Sequence, residues 1–115
     1  MKYNKLFRVF KFITSSIDFP MPIRLQRVKL PKDIDGDCRE EKDHFLIRIE
    51  KKLPEYYSID VLIHEASHVL SWNETNRDRH GLEWGKAYSV LYRKFLEWCK
   101  YEEGETGRKE TSLPL

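Results

Sequence analysis

The sequence predicts a small α+β domain, with an N-terminal helix, a short antiparallel sheet, a histidine-bearing helix and a C-terminal helix. Three observations lead there. Near both ends, apolar residues recur at spacings of three and four, the mark of amphipathic helices. Between them, short runs alternate apolar and polar residues and are bounded by proline or by Asp/Gly turns, as half-buried strands are. The stretch from Val61 to Trp72 then reads as an apolar helix interrupted by two histidines. A chain of 115 residues holds one hydrophobic core and not two. The domain is therefore expected over residues 1–101, with a polar, flexible tail over 102–115.

The elements follow in order. Over residues 3–17 the apolar stripe is Leu6, Phe7, Phe10, Ile13 and Ile17, with Lys5, Arg8 and Lys11 between. Phe19-Pro20-Met21-Pro22 ends that helix, since each proline drives its predecessor to extended geometry. Ile23, Leu25, Val28 and Leu30 make a strand whose alternation slips at Gln26-Arg27, predicting a bulge. Asp33 to Asp37 is turn chemistry; its D-x-D-G-D look does not complete a calcium loop. Phe45, Ile47 and Ile49 alternate with Leu46, Arg48 and Glu50 in a second strand closed by Pro54. Ser58 is the expected N-cap of a helix from Ile59 to Trp72, with Asp60 in its first turn. Residues 73–79 hold no apolar side chain and read as a loop. The last helix is expected from Gly81 or Leu82, its core stripe being Trp84, Tyr88, Leu91, Phe95 and Trp98. Gly104 and Gly107 lead into the tail.

Composition narrows the function classes. Hydrophobic content of 40% and charged content of 35% exclude a disordered chain, and no run of 18 apolar residues exists to span a membrane. Arg8 and Lys11 break the only stretch resembling a secretory signal, so the expected location is cytoplasmic. Cys38 and Cys99 are too few and too far apart for a disulfide framework or a zinc knuckle and are expected as reduced thiols. Residues 1–32 carry eight Lys/Arg against Asp18 alone, a basic third that suits either a solvated face or contact with DNA or a DNA-bound protein.

The chemistry lies in His64-Glu65-Ala66-Ser67-His68. On a helix, residues four apart share one face about 6 Å apart along the axis, so both imidazoles can bind one metal ion. Glu65, beside that face, is placed to act on a water rather than to ligate. Two neutral nitrogen ligands and a neighbouring base are what Zn2+-dependent hydrolysis needs. A catalytic zinc takes a third protein ligand and keeps one position for solvent. The long form of the motif, with glycine and histidine at 71 and 74, is excluded by Ser71 and Glu74. His80, where the polar loop meets the last helix, is the leading third ligand. Glu83 and Glu97 are the alternatives, and Glu83 could also buttress a ligand imidazole. His44, at the head of its strand, is expected to be exposed.

His64-Glu65-x-x-His68, an eleven-residue gap and then His80-Gly81-x-x-Trp84 resemble the SprT-like (Spartan-type) zinc metallopeptidase family, over roughly residues 43–98. The resemblance implies a zincin-like fold, Zn2+ held by His64, His68 and His80, Glu65 as general base and hydrolysis of peptide bonds. The 115 residues contain neither the cysteine-rich ribbon that often follows the SprT core nor Spartan-type DNA-binding extensions, so the resemblance speaks for the chemistry and leaves the substrate open. The strand Phe45–Ile49 is the expected rest for an extended peptide substrate, offering a free edge. Arg79 and Tyr88 are candidates to steady the oxyanion. Two competing readings stand beside this one. The first is a non-catalytic DNA- or protein-binding module with structural zinc; the second is a membrane-surface protein using the first helix.

Overall fold

The computed structural model describes residues 4–72 and 80–106. Its elements are α1 (Asn4–Ser16), β1 (Ile23–Val28), β2 (Gly36–Glu40), β3 (Phe45–Glu50), α2 (Glu55–Leu70) and α3 (Leu82–Thr106). Helix α1 buries Leu6, Val9 and Ile13. Phe10 and Ile17 pack partly against the core, while Phe7 turns outward. At its C-terminal end the hydroxyls of Thr14, Ser15 and Ser16 donate to the carbonyls of Phe10, Lys11 and Phe12, one turn back along the helix. At its other end the Glu55 carboxylate accepts from the backbone N–H groups of Lys5 and Leu6. Apart from Phe7, the stripe expected for α1 is thus spent on the fold.

The sheet is mixed, in the order β1-β3-β2, and this corrects the expected antiparallel sheet. β1 pairs parallel to β3, with Ile23 opposite Phe45 and Val28 opposite Glu50. β2 pairs antiparallel to β3, with Glu40 opposite Phe45 and Gly36 opposite Ile49. The β1 register runs unbroken through Gln26 and Arg27, so no bulge forms there. Instead Arg27 turns its guanidinium onto the carbonyls of Lys51 and Leu53. The segment between β1 and β2 passes around the end of β3. On the way Leu30 N–H donates to the Glu50 carboxylate, the Asp35 carbonyl accepts from Glu50 N–H, and Asp33 takes a positive φ of 69°. Gly36 and Asp37, expected in a turn, begin β2.

β3 behaves as its alternation predicts. Phe45, Ile47 and Ile49 are buried and the residues between them half-buried. It lies between two neighbours, however, and has no open edge. The expectation that a peptide rests on β3 is therefore wrong; the outer edges of the sheet belong to β1 and β2.

α2 starts a turn earlier than Ser58. Pro54 holds the N-cap position at φ −59° and ψ 155°, and Glu55 supplies the first-turn acid. That combination outcompetes a serine cap, because proline loses no hydrogen bond at a helix start and the acid meets the positive end of the dipole. Ser58 is instead buried, its hydroxyl donating to the Glu55 carbonyl, and Asp60 lies exposed in the second turn. α2 packs against β2, β3, α1 and α3, which is why its buried set, from Ile59 to Val69, extends round more than one face. α3 begins as expected at Leu82 but continues through Gly104 to Thr106. The expected tail therefore opens in helix, and Glu102 forms an ion pair with Arg8 of α1. Residues 107–115, including Gly107, lie outside the described residues. None of the described helices is long and apolar enough to cross a membrane.

Candidate metal centre

His64 and His68 stand one turn apart on α2, and their ring centroids are 5.0 Å apart. His80 reaches them from the residue pair that precedes α3, with centroids 5.0 Å from His64 and 4.9 Å from His68. One ligand nitrogen from each ring lies within 4.8 Å of the others. Three nitrogens about 2.0–2.1 Å from a tetrahedral Zn2+ lie roughly 3.3 Å from one another; Nε2 of His64 and Nε2 of His80 are 3.2 Å apart. The arrangement fits one shared ion. Burial, and then the proximity of His80, hold the His64 imidazole below its ordinary pKa, which favours the neutral, metal-binding form.

The alternatives to His80 fall away on geometry. Glu83 is exposed and faces Lys86; Glu97 is exposed and pairs with Lys94. Neither joins the histidine group. His44 is not the exposed side chain expected. It is half-buried, and its Nδ1 lies 2.8 Å from Asp43 Oδ1, away from that group. Arg79 and the loop 73–79 lie outside the described residues. Tyr88 is half-buried and stacked on Trp84, part of the α3 stripe rather than a lone polar group over the site.

Glu65 is buried, at 8% exposure. Its carboxyl is pushed up to about 7 from 4.5, first by burial and then by the charge of Asp37, with a hydrogen bond from Cys38 pulling the other way. Cys38 lies on the inner face of β2, opposite Ile47. Its thiol is pushed up to about 12, by burial first and then by the negative charges of Glu65 and Asp37. At neutral pH it is therefore a protonated sulfur beside the Glu65 carboxyl. Asp37, on the other face, is gripped by both arms of Arg48, at 2.9 and 2.5 Å.

Gly36 explains how β2 comes so near. A Cβ there would overlap Val61 Cγ1 and lie 3.0 Å from the Arg48 carbonyl oxygen. Trp72, just past α2, completes this edge: its indole N–H donates to Glu40 at 3.2 Å and its ring meets Phe45 edge-on.

Two residues beside the site have roles that the pattern did not assign. Cys38 read as an ordinary reduced thiol, and Trp84 as a core-stripe aromatic. Trp84 instead stands against all three imidazoles, at 5.2 Å from His64, 5.8 Å from His68 and 4.9 Å from His80. Its indole N–H donates to the His64 carbonyl at 3.3 Å. The signal that could have found it is the motif itself: His80-Gly81-x-x-Trp84 puts the indole in the first turn of α3, close behind the third histidine.

No family model, curated protein or solved structure matches the chain. The functional reading therefore rests on the residues themselves.

Proposed function

We propose that this protein is a zinc-dependent metallopeptidase of the SprT-like type, with His64, His68 and His80 as metal ligands and Glu65 as general base. The observation that carries the reading is the convergence of three imidazoles, their nitrogens within 4.8 Å of one another, beside a buried carboxyl poised near neutrality. Hydrolytic zinc sites combine three protein ligands with a position for solvent. Structural sites take four, and the described residues offer three, which favours catalysis over a purely structural ion. When bound, the ion serves as a Lewis acid that acidifies water and polarises the scissile carbonyl.

The protein's own groups do the rest. The imidazoles hold the site together in their neutral form. Glu65 accepts a proton from the attacking water and returns it to the leaving amine. A carboxyl raised toward 7 suits both halves of that exchange, since it can gain and lose a proton near the working pH. The Cys38 thiol pulls the same carboxyl down, and Arg48 anchors Asp37, so the base is approached by β2 on a fixed strand. Because β2 is an outer strand of the sheet, an extended peptide can lie along it and reach Glu65 through main-chain pairing. Such pairing reads backbone rather than side chains and gives broad sequence tolerance.

The deciding experiment is Glu65→Gln, assayed for bound zinc and for casein cleavage. Zinc should be retained near one equivalent while cleavage drops by about 10²–10⁴-fold. Cleavage at the parental rate would remove Glu65 from the mechanism.

A further inference from the structure

We infer that Trp84 is a positioning residue of the metal centre, setting the three imidazoles in a common geometry through its ring and its indole N–H. The inference rests on the metal-centre reading above and adds a residue that cannot itself ligate, since an indole is a donor only. Three contacts carry it. The ring lies within 5.8 Å of every candidate ligand, centroid to centroid. The Trp84 and His80 rings meet nearly perpendicularly, at 81°, an arrangement in which the positive rim of one ring faces the π-cloud of the other. Its N–H donates to the carbonyl of His64.

The chain path shows why this matters. Two ligands belong to α2, but His80 arrives on a separate segment, joined to α3 only through Gly81. Its placement against α2 therefore depends on contacts between the two elements. Trp84 closes that gap, because it belongs to the first turn of α3 yet bonds the backbone of the first ligand on α2. It also stacks on Tyr88 at 5.1 Å and 25°, and Tyr88 in turn stacks on Tyr92. The indole is thereby backed along α3 and cannot swing off the rings without unstacking. Groups that orient ligand imidazoles typically change metal affinity when removed, by about ten- to a hundredfold.

The test is a Co2+ titration of the full chain, followed by visible absorption, for wild type, Trp84→Phe and Trp84→Ala, with far-UV circular dichroism on each. Wild type should develop the intense bands of four-coordinate cobalt. Trp84→Ala should bind about ten- to a hundredfold more weakly with altered bands. Trp84→Phe, which keeps the ring and loses the N–H, should fall between and recover most of the band shape. If Trp84→Ala loses helix, Trp84→Phe decides: weaker binding than wild type upholds the role. Affinity within twofold of wild type and unchanged bands, in whichever variant keeps its helices, would overturn it. Absence of cobalt bands in wild type would instead bring down the metal centre itself, and this inference with it.

Discussion

The thiol of Cys38, on the outer strand β2, and the carboxyl of Glu65 on α2 act on each other: the carboxylate pushes the thiol up, and the thiol pulls the carboxyl down. Two elements distant in sequence thus meet at the proposed general base. A thiol raised to about 12 is almost wholly protonated at pH 8, where an ordinary cysteine is roughly one-tenth to one-quarter thiolate. Since only the thiolate is nucleophilic, Cys38 should react with iodoacetamide about 10³-fold more slowly than a small-molecule thiol, and at the ordinary rate once urea unfolds the chain. Peptide mass mapping of timed alkylation reads this directly. Fast labelling of the folded protein at Cys38 would show that the contact with Glu65 is not maintained in solution.

His80→Ala should bring zinc content well below one equivalent, because two ligands on one helix turn do not hold the ion at nanomolar concentration. Glu83→Gln should leave it unchanged, since that carboxylate is exposed beside Lys86. Metal analysis after gel filtration distinguishes them. The reverse outcome would move the third ligand from the histidine to the carboxylate.

Glu65 also makes the stability of the metal-free protein depend on pH. The folded carboxyl titrates at about 7 against 4.5 for the ordinary group. Between those values the unfolded chain releases the proton while the folded chain keeps it. Stability therefore falls as pH rises through that window and levels off above 7. The upper bound is on the order of 3 kcal/mol. In EDTA, urea denaturation should find Glu65→Gln gaining on wild type between pH 4.5 and 8. An equal difference at both pH values would mean that the carboxyl is solvated.

Gly36→Ala should cost about 1–3 kcal/mol. The added methyl meets Val61 and the Arg48 carbonyl, and the carbonyl is backbone that cannot step aside. Combining it with Val61→Ala should return part of the loss, because only one of the two obstacles is removed. Additive losses in the urea midpoints of the double variant would refute this packing. Displacing β2 also separates Cys38 from Glu65, so proteolysis of casein should fall in the single variant even where the fold survives.

Much of this architecture was legible in the chain. The three-and-four spacing of Leu6, Phe10 and Ile13, and of Tyr88, Leu91, Phe95 and Trp98, marks helices because a core face must repeat with the helical turn. β3 was legible for the corresponding reason at period two. β2 was not: Gly36-Asp37-Cys38-Arg39-Glu40 offers the interior only a glycine and a thiol, so nothing apolar alternates, and the glycine there serves a close approach rather than a turn. The parallel pairing of β1 was hidden too, because periodicity reports which face is buried and says nothing of neighbours. At the site, the His64/His68 spacing is a local property and could be read. The contacts of Cys38 and Trp84 cross between elements and emerge only from folding.

The sheet order also dictates a sequence of assembly. β2 and β3 are joined by a four-residue connection, with Glu41 N–H bonded to the His44 carbonyl, so they can zip together as soon as both exist. β1 has no neighbour until β3 has been made, 22 residues after Ile23 by register, and closing that larger loop costs more chain entropy. A ribosome-bound chain therefore carries β1 as an unsatisfied edge while the rest of the sheet is still emerging. The β2–β3 pair against which the histidine helix packs can therefore be complete before this earliest-born strand is seated.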